Sequence, residues 1–298
     1  MVFVLNPARV RRADRVAARC ARQAAAAGWE WLLAETTIGD PGTGLARQAL
    51  GAGARLVVAI GGDGTVRACA QALAGTAVPL AIVPRGTANL AARALGIPAR
   101  LDAALACGFG GNERRIDLAT ADGTVFVAMA GLGIDAAVVG ATPARLKTRA
   151  GWLAYAAVGA WHTRGRHAAF SISLDGTPLA VSAGSVVVGN AGLLPGGFTL
   201  LPDARLDDGQ LDVGVLAPGS LRDWGAVARR VLTVSRSDDR RLARYRARRV
   251  EIRADRDLPR QVDGEVIAPG RELAVTVVPQ ALLVRTPLHE KPRLPPSR

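Results

Sequence analysis

The sequence predicts an α/β protein in which a parallel α/β domain is followed by an antiparallel β-rich domain. Over about the first 110 residues, short apolar strands alternate with helical segments, an order typical of a parallel sheet covered on both faces. From about Asp117 onward, strand-like runs predominate, and turn signals such as Asp175-Gly176 and Asp208-Gly209 separate them. This change predicts one domain at 1–118 and a second at 119–298.

The elements of the first half follow from the spacing of apolar residues. Val2–Leu5 is a short apolar strand, and Asp14–Ala27 places Val16 and Cys20 on one helical face. A breaker at Asp40–Gly44 precedes the next helix. The further predictions are a strand at Trp29–Ala34, a strand at Leu56–Ile60, a helix at Val66–Leu73, a strand at Leu80–Val83 and a helix at Ala88–Leu95.

The pattern of the second half of the sequence predicts mainly strands. Two segments, Leu146–Trp161 and Leu221–Ser235, have helical periodicity. The strand-like runs are Val125–Ala130, Ala169–Leu174, Ser185–Val188, Leu211–Leu216, Val250–Arg253 and Leu273–Val278. Glu290–Arg298 is rich in proline and arginine, which predicts a loose tail that is free to return to the first domain.

The composition indicates a folded, strongly basic protein. Nearly half of the 298 residues are apolar, 21% are charged, and the formal net charge is +13. This charge would attract a nucleotide, an anionic membrane surface or nucleic acid. Much of the excess lies at Arg240–Arg249, where a solvated basic helix or strand edge is the favoured interpretation and membrane attraction is the alternative. No nucleic acid partner is predicted, because no recognition motif accompanies the charge.

The cysteines and the first residues favour a cytoplasmic protein. Cys20, Cys69 and Cys107 are an odd number without close pairs, which predicts reduced, mostly buried thiols. The start lacks the basic and long apolar regions of a signal peptide, and the apolar run Ala150–Trp161 is too short to span a bilayer. The predicted location is the cytoplasm, with peripheral contact at the inner face of an anionic membrane.

A glycine-rich loop, Gly61-Gly62-Asp63-Gly64-Thr65, follows a predicted strand and precedes a helix. Glycines let the backbone approach phosphate oxygens, and the helix start offers N–H groups and a positive dipole end. Asp63 would bind a metal-bound water or a ribose hydroxyl rather than bare phosphate. The alternative interpretation is an ordinary glycine-rich turn.

A second turn, Pro84–Leu90, also comes directly after a predicted strand. Pro84 and Gly86 favour a turn, while Thr87 and Asn89 offer side-chain hydrogen bonds at a helix start. Taken alone, Thr87 is interpreted as the N-cap of the helix. Beside the first loop, its hydroxyl would serve the same phosphate chain, so the two loops together favour a nucleotide crevice.

The motifs resemble those of the diacylglycerol kinase catalytic family, which includes bacterial lipid kinases and is related to sphingosine kinases and, more remotely, NAD kinases. In chain order they are Asn6-Pro7, Thr36-Thr37, Gly61–Thr65, Pro84–Asn89, Gly131–Asp135, Leu206–Gly209 and Asp263–Glu265. The glycine loop alone would not separate lipid kinases from NAD kinases, but the last two motifs favour the lipid group. The resemblance implies a NAD-kinase-like parallel α/β domain, a C-terminal antiparallel β-sandwich-like domain, and ATP in the cleft between them.

The resemblance also implies the residues of the site. ATP would be bound by Asn6, Thr36, Thr37, Gly61, Gly62, Asp63, Gly64, Thr65, Val66, Arg67, Ala68 and Thr87. Mg²⁺ would enter with ATP and be organised through Asp63, and Glu265 would take the proton of the acceptor hydroxyl. A further metal ion, held by the Asp208 side chain and the backbone carbonyls of Arg205 and Gln210, would shape the second domain.

Three functions stay open on the sequence alone. The favoured one is an ATP-dependent lipid kinase acting on a lipid alcohol, with diacylglycerol as the default acceptor and phosphatidic acid as product. The alternatives are a NAD-kinase-like small-molecule kinase and a non-catalytic ATP- or lipid-binding regulator. The regulator is motivated by Arg9-Val10, where relatives have a small residue and glycine, and by Leu90, where many have aspartate. Without the resemblance, the favoured interpretation of Asp263-Gly264 is a plain hairpin turn, because Asp-Gly is a common turn dipeptide.

Strand edges in the β-rich half would allow a homodimer.

Overall fold

The computed structural model describes residues 1–133, 167–194 and 197–288. Within them the chain forms two compact units, one of Met1–Ile116 with the residues from Gln280 onward and one of Asp117–Pro279. The limits of 1–118 and 119–298 stay a prediction. The predicted helix Leu146–Trp161, the end of the Gly131–Asp135 motif and the tail Glu290–Arg298 lie outside the described residues.

The first unit is a parallel sheet with helices along its connections. Strand order is β2-β1-β3-β4, and all three neighbouring pairs are parallel. The strands are β1 (Val2–Leu5), β2 (Leu32–Glu35), β3 (Val57–Gly61) and β4 (Leu80–Pro84), and the helices are α1 (Ala13–Ala26), α2 (Thr43–Gly51), α3 (Asp63–Leu73), α4 (Leu90–Ala94) and α5 (Leu101–Gly110). β1, β3 and β4 are fully buried apolar runs, which is why their pattern could be read from the sequence.

Helix boundaries differ from prediction at both turns of interest. α3 begins at Asp63 rather than Val66, so three residues of the glycine motif form the first helical turn. α4 begins at Leu90 rather than Ala88, because Asn89 has a left-handed backbone (φ 49°) and exchanges hydrogen bonds with Gly86. The expectation that Thr87 is the N-cap of this helix is therefore wrong.

The second unit is built from antiparallel strands. Strand order is β12-β11-β10-β7-β13, and β8 and β9 extend from β13 as a hairpin. The elements are β5 (Asn112–Ala121), β6 (Thr124–Phe126), β7 (Met129–Gly133), β8 (Ala168–Leu174), β9 (Thr177–Ala183), β10 (Ser185–Gly189), β11 (Leu211–Leu216), α6 (Leu221–Leu232), β12 (Leu242–Ala247), β13 (Arg249–Val262) and β14 (Glu265–Thr286). The start of β5 and the end of β14 belong to the first unit. Residues such as Phe126, Leu132 and Phe170 form its buried apolar core.

The basic run Arg240–Arg249 forms β12 and the start of β13, which agrees with the strand-edge interpretation. Its charge is largely compensated within the unit. The ion pairs join Arg241 to Asp223 and Asp239, Arg244 to Asp238, Arg246 to Asp208 and Arg249 to Glu251. The run therefore presents much less net positive charge than its sequence suggests.

The three cysteines are buried and form no disulfide, as predicted. Burial raises the pKa of Cys20 to about 11 and that of Cys69 to about 12, so both stay protonated thiols at neutral pH. In the described part of the chain, no helix combines the length and the apolar character that crossing a membrane requires.

Candidate functional site

The two glycine loops of the first unit touch each other. β3 and β4 are adjacent parallel strands with Gly61 opposite Pro84, and the Arg85 N–H donates to the Gly61 carbonyl oxygen at 2.7 Å. A Cβ atom on Gly86 would lie 2.5 Å from the Gly62 Cα, closer than side-chain atoms ever come. Glycine at both positions is therefore what lets the two backbones meet.

The start of α3 is open on its outer side. Because the helix begins at Asp63, the N–H groups of its first turn lie at the helix end and not inside it. Gly64 is exposed, and a Cβ atom added there would meet no atom within 4 Å. A helix start with free space and a positive dipole end has the features of an anion site.

Asn6 links the end of β1 to this helix. Its Nδ2 donates to the Thr65 Oγ1 at 3.2 Å, and its Oδ1 accepts from the Arg9 N–H at 3.2 Å. Gly61 must be glycine for the same contact, because a Cβ atom there would lie 2.6 Å from the Thr65 Oγ1. The structure thus brings Asn6, Gly61 and Thr65 together, although 59 positions separate Asn6 from Thr65.

The threonine pair follows β2 at the same edge of the sheet. Thr36 is buried, and its N–H donates to the Leu5 carbonyl at 2.8 Å. The Thr37 hydroxyl accepts from the Asp40 N–H at 3.1 Å. Asp40 in turn accepts from the N–H groups of Gly42, Gly44 and Leu45 at the start of α2. Desolvation acts to raise the pKa of Asp40, but these N–H donors outweigh it and lower the pKa.

The remaining predicted nucleotide residues differ in exposure. Thr87 is exposed, and Arg67 is half-buried. The side chains of Val66 and Ala68 are buried in the core. Asp63 Oδ1 accepts from the Ala91 N–H at 3.4 Å, which ties the glycine loop to the first turn of α4.

Glu265 is an exposed residue at the start of β14, directly after a two-residue hairpin turn. Asp263 and Gly264 both have positive φ angles, 47° and 78°, as in a type I′ turn, and Val262 pairs with Glu265 across it. Asp263 is buried and holds the turn in place. Its carboxylate accepts from the N–H groups of Val127, Ala128 and Met129 at 2.8 to 3.1 Å.

Two buried polar residues that the sequence analysis missed join the motifs of the second unit. The Asn190 Nδ2 donates to the carbonyl oxygens of Asp117 and Val127, at 2.9 and 3.0 Å. The Asp117 carboxylate accepts from the Gly209 N–H at 2.6 Å. Asn190 and Asp117 thereby connect the Asp207-Asp208-Gly209 turn with Val127, whose N–H group binds the Asp263 carboxylate. A single asparagine directly after the apolar run of β10 was the signal available in the sequence.

The predicted metal ligands Arg205, Asp208 and Gln210 lie in that turn. Asp208 Oδ1 accepts from the Gln210 N–H at 3.1 Å, and its Oδ2 is paired with Arg246. Burial raises the pKa of the nearby Asp212 to about 6, although Arg246 acts to lower it. Within the described residues, no group of three or more histidine, cysteine, aspartate or glutamate side chains has the arrangement of a metal site.

Comparison with known proteins identifies the family. Residues 1–121 match the diacylglycerol kinase catalytic domain, and residues 128–286 match the YegS C-terminal NAD kinase beta sandwich-like domain. A probable YegS-like lipid kinase of Pseudomonas aeruginosa is 37% identical over 263 residues, 84% of this chain and 84% of that protein. One from Pseudomonas fluorescens is 35% identical over 271 residues, 88% and 87% of the two chains. The chain belongs to the family of YegS-like lipid kinases with a diacylglycerol kinase catalytic domain, as the motifs predicted.

Solved structures show the same fold. A diacylglycerol kinase from Bacillus anthracis aligns with a TM-score of 0.74 at 20% identity, over 96% of both chains. A second structure from that bacterium reaches 0.81 at 22% identity, over 96% of this chain and 94% of the other. An NAD kinase from Archaeoglobus fulgidus in complex with ATP reaches 0.50 at 11% identity, over 96% and 93%. These likenesses confirm the predicted fold class.

Proposed function

We propose that the protein is an ATP-dependent kinase that transfers the γ-phosphate to the hydroxyl of a lipid, with diacylglycerol as acceptor and phosphatidic acid as product. The observation that carries the proposal is the contact of Gly62 with Gly86 at the start of α3, beside the open space at Gly64. A helix start lined by backbone accommodates a phosphate chain without side chains in the way. The relatives named as lipid kinases support the class of acceptor.

ATP would lie along the carboxyl ends of the parallel strands. Asn6, Thr36, Thr37 and Thr87 follow β1, β2 and β4 there, and the hydroxyl and amide groups are suited to phosphate and ribose oxygens. Gly61 to Ala68 would contribute mainly through backbone N–H groups, since the side chains of Val66 and Ala68 are buried. Mg²⁺ entering with the nucleotide would screen the phosphate charge, and the Asp63 carboxylate is the oxygen ligand type that this ion prefers.

Glu265 would act as the general base. Its carboxylate takes the proton of the lipid hydroxyl while the hydroxyl oxygen forms a bond to the γ-phosphorus and the bond to the ADP oxygen breaks. An exposed glutamate on a hairpin that a buried aspartate fixes is suited to this role, because the carboxylate is accessible and its backbone is held.

The regulator is the second candidate, and Leu90 is the observation that favours it. Leu90 is 1% exposed, so the position where many relatives have aspartate is part of the apolar core. The chain therefore has no carboxylate at this position, but it has the carboxylates of Asp63 and Glu265. Because a base and a phosphate loop are both present, we favour the active kinase.

For membrane contact we favour α1 over the Arg240–Arg249 run. Arg15 and Arg22 are exposed and form no ion pair with any residue the structure describes, and Arg19 shares their face but pairs with Asp102. Unpaired arginines near an anionic surface are each worth about 1 kcal/mol of attraction. The helix face of Arg15 and Arg22 would therefore draw the enzyme to a bilayer that contains its substrate.

The test is transfer of labelled γ-phosphate from MgATP to lipid alcohols in vesicles of zwitterionic or anionic phospholipid, with NAD as a separate acceptor. We expect labelled phosphatidic acid from diacylglycerol, faster on anionic vesicles. Glu265→Gln should lower turnover about 10²- to 10⁴-fold and leave ATP binding unchanged.

The controls separate the parts of the proposal. Arg15→Gln with Arg22→Gln should reduce the preference for anionic vesicles, while Arg249→Gln with Arg253→Gln, which removes the same charge from ion pairs, should not. ATP binding without transfer to any lipid or to NAD would overturn the kinase in favour of the regulator. Labelled NADP as the main product would favour the NAD-kinase-like alternative.

A further inference from the structure

The turn that the resemblance identifies with a structural metal ion already contains a cation of the chain itself. Both oxygens of the Asp208 carboxylate are engaged, Oδ1 by the Gln210 N–H at 3.1 Å and Oδ2 by the Arg246 guanidinium. The neighbouring Asp207 is paired with Arg205 at 3.2 Å. Each oxygen of the carboxylate expected to bind the metal ion therefore already accepts from a protein donor.

Strand register fixes Arg246 at this place. β11 and β12 are antiparallel, and Arg246 lies directly opposite Asp212. Its Nε is 3.8 Å from the Asp212 Oδ2. The ladder fixes the backbone of Arg246 opposite Asp212, which keeps its side chain within reach of the carboxylates of Asp208 and Asp212.

Asp212 is a buried carboxylate that a nearby positive charge stabilises. Its side chain is 5% exposed, and its Oδ2 has no hydrogen-bond partner in the part of the chain that the structure describes. A buried carboxylate without a compensating charge is strongly unfavourable. Arg246 supplies that charge to Asp212 and to Asp208 at once, which is the electrostatic role that a divalent ion would have in this turn.

We propose that the Arg246 guanidinium takes the place of the structural metal ion, so that the second unit is stable without divalent cations. A metal ion on Asp208 would have to displace the guanidinium or lie beside it on the same carboxylate, where like charges repel. The residues present do not fit a metal ion while Arg246 is in place. This proposal concerns stability and does not rest on kinase activity.

Thermal unfolding of the full chain, without nucleotide, tests the proposal. We expect the wild-type Tm to be the same in EDTA, MgCl₂ and CaCl₂. Arg246→Met should lower the Tm in EDTA, and Mg²⁺ or Ca²⁺ should restore part of the loss, because the freed carboxylates now accept an ion. Mg²⁺ should bind this variant at least about tenfold more tightly than the wild type.

Arg249→Met is the matched control, since it removes the same charge from an exposed pair with Glu251. If Mg²⁺ raised the Tm of both variants equally, the effect would come from the lost charge alone, and the proposal would be overturned. Loss of wild-type Tm in EDTA with recovery in Mg²⁺ would overturn it as well.

If Arg246→Met does not fold, calorimetric titration of the wild type with MgCl₂ tests the proposal instead. We expect no binding heat that depends on Asp208. A heat that is present in the wild type and absent in Asp208→Asn would show a metal ion in the turn and overturn the assignment of Arg246.

Discussion

The glycine loops of the first unit and the Glu265 hairpin of the second unit are held by different kinds of contact. Gly62 and Gly86 meet because neither has a side chain, and a Cβ atom on Gly86 would be 2.5 Å from the Gly62 Cα. The hairpin is held by a side chain, the buried Asp263 carboxylate, which accepts three backbone N–H groups. The first arrangement is sensitive to added volume, and the second is sensitive to the loss of an acceptor.

The largest loss of stability is expected from a substitution at Asp263. Asp263→Ala leaves the N–H groups of Val127, Ala128 and Met129 without their acceptor, in buried surroundings. We expect the free energy of unfolding to fall by about 3 kcal/mol or more, measured by urea denaturation.

Asp175 provides the matched control for this change. It also precedes a glycine in a hairpin, has a φ of 50°, and accepts from the N–H groups of Arg248 and Arg249, but on an exposed surface. Asp175→Ala carries the same backbone cost and should lose only about 1 kcal/mol. Equal losses in the two variants would show that burial of Asp263 does not matter.

A pair of alanine substitutions tests the close contact of the glycine loops. Gly86→Ala forces the two loops apart, and we expect a loss of about 1 to 3 kcal/mol in the free energy of unfolding together with weaker ATP binding. Gly64→Ala should leave the fold intact or stabilise it by about 0.5 to 1 kcal/mol, because Gly64 is helical and its added methyl group meets no protein atom.

ATP affinity then separates the two roles of glycine. Gly64→Ala should still weaken ATP binding, measured by calorimetry, if phosphate occupies the open space at the start of α3. Unchanged affinity in this stable variant would argue against phosphate at that position.

A small loss of stability is also expected at Asp40, a carboxylate of the first unit whose hydrogen bonds are all local. Asp40→Ala removes the acceptor for the first N–H groups of α2 and should cost about 1 kcal/mol at pH 7. The native pKa of Asp40 is lowered, so its stabilisation is present above the ordinary value of 3.8 and is lost as the pH falls through the lower native value. The two proteins should therefore converge in stability in strong acid, and a difference that persisted there would contradict this reason.

The difference between the two regions also explains which elements could be predicted from the sequence. β1, β3, β4 and the glycine motif were predicted because each is a continuous local pattern. α5 was missed because its ten residues, rich in alanine and glycine, show almost no separation into polar and apolar faces. β9 was missed because its residues are mostly exposed or half-exposed, and β12 was left between a helix and a strand edge because it is half-exposed and contains two arginines.

The polar contacts of the second unit could not be predicted, because their partners are remote in the chain. Asp263 is 134 to 136 residues from its donors, and Asp117 is 92 residues from Gly209. Arg246 belonged to a basic run whose partners were unknown until β12 was paired with β11. A carboxylate ligand for metal and a carboxylate paired with arginine look identical in sequence.

Most strands and helices, the two kinds of sheet, the glycine loops and the family could be predicted from the sequence, since each follows from periodicity or from a local motif. The tertiary structure was needed to show that Gly62 meets Gly86, that Asp263 holds the hairpin, and that Arg246 compensates Asp208 and Asp212. The reason is that close approach and charge compensation depend on which distant residues the sheet register places side by side.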